Sequence, residues 1–315
     1  MPSVVVATAY GGPEVLALVE APSAEPGAGE VRLAVRAAGV NPADLKRYAG
    51  AFGQNPAELP MRLGYEASGV VTAVGVEAVG PAGPISVGDE VIAFRVDGAY
   101  ATELVVPADA VLPRPRTLSW EQAGGLLLTG VTAVHALTAA DVGAGDTVLL
   151  HGAAGGVGLM AVQLAVARGA RVIGTAGETA HQTLRDLGAE PVVYGRGLVD
   201  RVQSLTPDGV DAAIDAIGTD EAVETSLALV PDRSRIASIA AFGRAAKDGI
   251  KLLGGGPGAD AGEEVRGPAR LDLVRLAEAG ALTVVVAGVY PLADVAAAHA
   301  QVGGGHSHGK VVLVP

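Results

Sequence analysis

Residues 149–158 read LLHGAAGGVG, and this stretch restricts the possible folds most. The apolar run TVLL (147–150) leads into it. GLMAVQLAVARG (158–169) follows with helix-like character and closes at Gly169. Strand, glycine corner and helix are therefore consecutive. Glycine lets a chain turn sharply, and the helix start beyond it offers unpaired N–H groups and the positive end of a dipole. Together these suit a pyrophosphate. The spacing Ala153-x-Gly155-x-x-Gly158 puts alanine where the usual fingerprint begins with glycine. By itself that is a weak match, equally readable as a packing corner.

The flanking pattern favours the cofactor reading. RVIGTAG (171–177), EPVVYG (190–195), VDAAIDAIG (210–218) and SRIASIAAFG (234–243) are strand-like, with helix-length segments between most of them. Such alternation predicts a doubly wound parallel sheet and, with it, a dinucleotide site. An NAD site usually places Asp or Glu at the end of the second strand. Here Gly174, Thr175 and Ala176 stand there, which leaves room for the 2′-phosphate of NADPH. Glu178 lies just beyond. His181, one helical turn further, is a candidate phosphate contact beside Thr175. No Lys or Arg is evident at this point.

The first third is β-rich. VRLAVRAAGV (31–40), GYEASGVVTAVG (64–75), GDEVIAF (88–94) and YATELVVPADAVLP (100–113) are short strands punctuated by Gly and Pro, as in a barrel or sandwich. A Pro-rich segment at 112–115 marks a boundary. Residues 119–140 look like one helix. Residues 243–268 are Gly-rich and polar and read as a mobile loop. A helix (268–280) and two strands (282–292 and 309–315) end the chain. Aromatics make up only 3%, so Ala, Val and Leu must fill the core.

Net charge and residue types exclude several classes. A formal charge of −12 argues against a broad basic surface for nucleic acid or anionic lipid. With no Cys, neither a disulfide framework nor a thiolate metal site is possible. The N-terminus has no basic n-region or long apolar run, so a cytoplasmic protein is expected. Residues 147–167 carry no formal charge and are about long enough to span a bilayer. Their His151, Gln163 and glycines instead fit strand, turn and helix. His306 and His308 in the tail lack further ligands and read as turn residues.

NPADLKRYAG (41–50), LGYEASGVVTAVG (63–75), GDEVIAF (88–94), LTGVTAVHAL (128–137), HGAAGGVG (151–158) and GKVVLV (309–314) follow one another over nearly the whole chain. In these segments the sequence resembles the zinc-independent quinone oxidoreductases, the ζ-crystallin-like group of the medium-chain dehydrogenase/reductase superfamily. The resemblance implies an α/β protein: a GroES-like β-barrel domain (1–116 and 269–315) plus a doubly wound Rossmann domain (117–268). It also implies a homodimer through the Rossmann sheet edge, near SRIASIAAF. Zinc alcohol dehydrogenases of the superfamily have His in a GHE motif, and Tyr65 replaces it here. No zinc is expected, so the acceptor must already be electrophilic, as quinones and α,β-unsaturated ketones are.

By the same resemblance, Asn41 and Thr132 face the nicotinamide end, and Ala154, Gly155, Gly156 and Val157 offer backbone to the pyrophosphate. Tyr194 lies along the adenosine ribose and phosphate. Ile217 and Ile239, following the next two strands, complete the cofactor set, while Asp215 is structural. Lys46 stands where bacterial quinone reductases often have Tyr, and Asn-Pro-x-Asp-x-Lys resembles the enone oxidoreductase branch. Lys46 would polarise the acceptor oxygen or bond the ribose, with Tyr48 as the substitute phenol. The expected activity is NADPH-dependent reduction of a small-molecule quinone or enone. Two alternatives remain open: a natural-product tailoring enzyme such as an enoyl reductase, and a cofactor-binding protein without catalytic activity.

Overall fold

The computed structural model describes every residue from Met1 to Pro315 except His306, so the expectation for that histidine lies outside the described residues. The chain divides into two compact units, Met1–Leu128 with Leu271–Pro315, and Thr129–Arg270.

In the first unit the central strand is Glu30–Val40, eleven residues long. It pairs antiparallel with Glu66–Val74 along one edge, and along the other with Glu103–Pro107 through its first half and Lys310–Val314 through its last residues. Register shifts at Arg32/Leu33 and Val35/Ala37 let it bend while holding both partners. The sheet continues outward through Glu90–Phe94 and Val111–Pro113 on one side and Val286–Pro291 on the other. Ser3–Ala7, Leu16–Glu20 and Met61–Arg62 form a smaller sheet. Both ends of the sequence thus meet in one barrel-like unit. Its core is largely Val, Leu and Ala, such as Val31, Leu33, Ala38 and Leu104, with Tyr48 and Tyr100 as its large aromatics.

The second unit is a six-stranded sheet in which every neighbouring pair is parallel. Its spatial order is Glu190–Val192, Arg171–Thr175, Thr147–His151, Ala212–Asp215, Ile236–Ser238, Lys251–Leu252. Numbered along the chain, that is 3-2-1-4-5-6, the order of a dinucleotide-binding sheet. The first two strands are buried from their second residue onward, as expected when helices cover both faces. The uncharged stretch 147–167 divides into the strand Thr147–His151 and the helix Gly156–Ala167. Among the described residues no helix is long and apolar enough to cross a membrane.

The structure differs from the sequence reading in four places. Residues 119–140 are two helices, Trp120–Ala123 and Leu127–Ala139, parted at two glycines. A Cβ on Gly124 would stand 2.8 Å from Ala37 O, and one on Gly125 would overlap Lys310 Cγ, so the chain passes too close to the barrel for a side chain there. The same packing moves the unit boundary from 116 to Leu128. Ser68 Oγ donates to Trp120 O at 2.7 Å, and the Arg114 guanidinium lies 4.4 Å over the Trp120 ring. On the return, the helix Glu263–Glu278 runs through the boundary.

Residues 243–268 contain structure. A short helix, Ala245–Asp248, the outer strand Lys251–Leu252 and the start of the 263–278 helix lie within them. Arg266 Nε donates to His135 Nδ1 at 3.2 Å, so His135 must carry its proton on Nε2, which bonds Asp260 Oδ2 at 3.1 Å. This buried imidazole pins the segment. Finally, Ile236–Ser238 is an interior strand and the edge is Lys251–Leu252, which removes the basis for placing a subunit contact on SRIASIAAF.

Candidate functional site

The glycine corner sits at the carboxyl end of the central strand Thr147–His151. Gly152 makes the turn with φ +72°, a conformation that disfavours any side chain. Gly158 lets helix and strand close together, since a Cβ there would overlap Gly152 O. Gly155 is different. Its φ and ψ (−74°, 168°) suit any residue, and only Gly152 O, at 3.4 Å, lies near its missing Cβ. It opens onto space, and no side chain caps the 156–167 helix. Backbone N–H groups of Gly156 and Val157, at the positive end of that helix, are what a pyrophosphate requires. The residues present therefore fit a dinucleotide.

The alanine at the first fingerprint position is accommodated by its neighbour. Ala153 is fully buried, and its methyl lies 2.9 Å from where a Cβ on Gly174 would stand. The methyl that Ala153 adds occupies the space that Gly174, on the adjacent strand, leaves empty.

The other expected cofactor residues of this unit follow the same strand ends. Ala154, Gly155, Gly156 and Val157 form the corner. Tyr194 follows 190–192, Ile217 follows 212–215 and Ile239 follows 236–238. The topology thus gathers them along the carboxyl edge of one sheet, where open α/β sheets bind ligands. Asp215 holds that edge. Its Oδ1 accepts from the N–H groups of Ile217 (3.0 Å) and Gly218 (2.8 Å), and its Oδ2 accepts from Ser238 Oγ at 2.6 Å. Tyr194 is half-exposed, and its hydroxyl lies 3.9 Å from the Cβ position of Gly177.

Two of the expected contacts face inward. Thr175 is buried, and its hydroxyl pairs with His151 Nδ1 at 3.3 Å. His181 uses Nε2 on Ala176 O at 3.3 Å, so that proton is not directed at a phosphate. Thr132 is buried on the 127–139 helix.

The structure offers a cation that the sequence reading passed over. Arg196 is exposed two residues after Tyr194. Arg201 holds that loop by donating to Val193 O, Gly195 O and Arg196 O. Arg201 is thereby committed to the loop, and Arg196 is presented at its surface.

The remaining expected residues belong to the first unit. Asn41 is 1% exposed and its amide is engaged: Nδ2 donates to Gly39 O (3.1 Å) and Glu66 Oε1 (3.3 Å), and Oδ1 accepts from Lys310 Nζ. Lys310 Nζ also lies 2.7 Å from Glu66 Oε1, and Glu66 Oε2 accepts from Leu128 N–H at 2.9 Å. This buried pair was not foreseen. Lys46 is exposed on the helix Pro42–Tyr48. Tyr48 points the other way, into the core, where its hydroxyl meets His299 Nδ1 at 3.0 Å. Burial pushes that phenol up to about 12. A tyrosine so placed does not reach a solute, which corrects its expected role. Among the described residues no group of three or more His, Asp or Glu could hold a metal ion.

Comparison with known proteins agrees with this architecture. Residues 27–116 match the alcohol dehydrogenase GroES-like domain family, and residues 156–257 match the zinc-binding dehydrogenase family. A GroES-like unit and a Rossmann unit together define a medium-chain dehydrogenase/reductase. Within that superfamily the chain is 35% identical to the quinone oxidoreductase of Pseudomonas aeruginosa, over 98% of both proteins. It is 30% identical to the Escherichia coli quinone oxidoreductase solved with NADPH, with a TM-score of 0.85 over 99% of this chain and 100% of that one. The CurK enoyl reductase structure is 25% identical, with a TM-score of 0.86 over 99% of each chain. A mouse synaptic vesicle membrane protein VAT-1 homolog is 36% identical over 68% of this chain, which spans only 53% of that relative. The chain belongs to the quinone oxidoreductase group, a family of oxidoreductases.

Proposed function

We propose that this protein is an NADPH-dependent reductase of quinones or α,β-unsaturated ketones that works without zinc. The open, uncapped glycine corner at Gly155 carries the reading. When bound, the dinucleotide supplies the hydride. The chain's own residues bind and orient. N–H groups at 156–157 hold the pyrophosphate, and Ile217 and Ile239 flank it along the sheet edge. The stretch 175–177 offers no carboxylate to a 2′-phosphate, and Tyr194 with Arg196 offers a phenol and a cation near it. Asn41, its amide spent on Gly39, Glu66 and Lys310, holds the barrel and not the cofactor; Thr132 orients the nicotinamide, and Lys46, an exposed ammonium, polarises the acceptor oxygen. Tyr65 in place of the GHE histidine, in a chain without Cys, supports chemistry without zinc. The assembly belonging to this reading is a homodimer, measurable by light scattering.

The test is a fluorescence titration with NADPH and NADH, followed by 1,4-benzoquinone and then an enone in the same cuvette. Tighter binding of NADPH and its oxidation by either acceptor is the expected result. The likeness to CurK favours one second reading, an enoyl reductase with a specialised substrate. Binding without oxidation by either simple acceptor would point there or to a cofactor-binding protein without catalysis. Binding of neither nucleotide would overturn the proposal.

A further inference from the structure

The sixth strand of the parallel sheet, Lys251–Leu252, runs out at the carboxyl edge into residues 253–262, LGGGPGADAG. The ends of this strap are tied together. Gly254 N–H donates to Asp260 O and Asp260 N–H to Leu252 O, both at 2.8 Å. Its tip is almost bare of side chains. A Cβ on Gly255 or Gly258 would meet nothing within 4 Å, whereas one on Gly256 would stand 2.5 Å from the Phe242 ring. The strap therefore lies against that ring. Glycine-rich backbone loses much entropy on ordering, so a strap of this composition stays in place only where something fixes it.

The fixture is His135. Its Nε2–H donates to Asp260 Oδ2 at 3.1 Å, and Asp260 Oδ1 accepts from Gly262 N–H at 2.8 Å. Gly262, with φ +67°, passes so close to the imidazole that a Cβ there would overlap the ring. Arg266 Nε donates to the other ring nitrogen, Nδ1, at 3.2 Å. Burial holds the imidazole below its usual pKa, with Asp260 pulling against it and Arg266 adding to it, so the ring is neutral at pH 7. The imidazole is buried while the Asp260 side chain is 66% exposed. A fixed donor inside the unit thus grips the strap from below.

Phe242 is 40% exposed, on the loop that leaves the fifth strand, Ile236–Ser238. Ile217, also exposed, is on the loop that leaves the fourth, Ala212–Asp215. The two loops touch, since a Cβ on Gly218 would stand 2.8 Å from the carbonyl carbon of Ala240. A lone exposed phenylalanine needs no explanation. One backed by a strap that is itself pinned to a buried histidine does. A sheet ordered 3-2-1-4-5-6 takes one half of a dinucleotide over its first three strands and the other half over strands four to six. With the 2′-phosphate beside residues 175–177, at the end of the second strand, the nicotinamide half falls to the side of Ile217 and Phe242.

We infer that His135 and Asp260 are positioning residues for the cofactor: they latch the strap behind Phe242 and so hold its ring as an apolar wall for the nicotinamide half. They act through the ring and not on the nucleotide. Assigning the ring to the nicotinamide rests on the reductase reading; the latch itself does not. Loss of the latch frees strap and ring, and the entropy of ordering them then falls on binding of the nicotinamide half alone. The adenosine half, over the first three strands, is unaffected.

Hydrogen exchange on the full chain without nucleotide reads the latch. Calorimetric titration with NADPH and with adenosine 2′,5′-bisphosphate reads its effect. Asp260→Ala, at an exposed side chain, and His135→Leu, which fills the space without a hydrogen bond, speed exchange of the amides in 253–262. His135→Gln, whose amide N–H replaces Nε2–H, restores protection. Where His135→Leu does not fold, Asp260→Ala decides. Asp260→Ala and Phe242→Ala each weaken NADPH binding about threefold to tenfold and leave the bisphosphate unchanged, and the double variant is no weaker than Phe242→Ala alone. Unchanged exchange in Asp260→Ala overturns the latch. A loosened strap with unchanged NADPH affinity overturns the positioning role, and so does equal weakening of both ligands or an additive double variant. Wild type that binds neither ligand overturns the reductase reading and the positioning role together, while a strap loosened by Asp260→Ala still upholds the latch.

Discussion

Lys310 is 3% exposed with its ammonium 2.7 Å from a carboxylate that is itself 2% exposed, so each charge is stable only while the other is there. Removing one partner of such a pair leaves an uncompensated buried ion. Lys310→Met should therefore cost about 3–5 kcal/mol in urea unfolding. Adding Glu66→Gln to it should recover part of the loss; a double variant no better than the single would mean the lysine stem, and not its charge, is what the barrel needs. GYE and GKVVLV were legible as family segments, yet nothing in one sequence pairs residues 244 positions apart. The glycines that clear the space are equally silent, since a Cβ on Gly39 would stand 2.6 Å from Glu66 Oε1 and 2.8 Å from Lys310 Cε. Arg196 was missed for another reason: it lies beyond the strand after the one that the fingerprint rule inspects. Arg196→Ala should weaken NADPH binding roughly tenfold and leave NADH unchanged, because only NADPH carries the added phosphate. Equal weakening of both nucleotides would assign the arginine to the loop instead.

The strand–corner–helix element was the most legible part of the chain, because its periodicity and glycines are local. What the sequence could not supply was the division of labour among those glycines, which depends on what each faces. Gly158 faces backbone, so Gly158→Ala forces a Cβ into Gly152 O and should destabilise the second unit by about 1–3 kcal/mol. Gly155 faces space in an ordinary backbone conformation. Gly155→Val should leave the melting temperature within a degree or two and abolish NADPH binding, since its branches occupy the place of the pyrophosphate. Calorimetry of both variants, with and without nucleotide, separates the two roles. A Gly155→Val protein that still binds NADPH would mean the corner only packs. Ala153 and Gly174 make the same point about context. The apparent defect in the fingerprint is compensated on the neighbouring strand, which a motif read along one segment does not include.

Acid separates the two units at the level of the whole molecule. His151, in the second unit, is buried neutral with its pKa depressed by desolvation to about 4. His299, in the first, is depressed to about 4 for the same reason. A histidine that stays neutral in the fold but protonates when unfolded costs nothing above pH 6.5. As the pH falls from 6.5 toward 4 the unfolded state binds the proton first, so stability is lost, by up to roughly 3 kcal/mol for a shift of this size. Asp44 has the opposite sign. Burial raises its carboxyl to about 6, against an ordinary 3.8, even though it accepts the N–H groups of Asn41 and Gly64. The fold holds that proton more tightly than the unfolded chain does, so acidification from pH 6 toward 3.8 returns a comparable amount of stability. In the first unit Asp44 thus offsets His299, while nothing of that kind offsets His151. Asp146, Glu190 and Asp260, held below the usual carboxylate range chiefly by Arg235, by Arg171 and by the Gly262 N–H, add to the second unit's loss at still lower pH. Hydrogen exchange, corrected for intrinsic rates, should show the strand Thr147–His151 losing protection between pH 7 and 4.5 while Glu30–Val40 keeps it. His151→Asn, which cannot protonate, should remove most of that difference. Earlier loss in Glu30–Val40 would mean that Asp44 does not hold its proton as its burial requires.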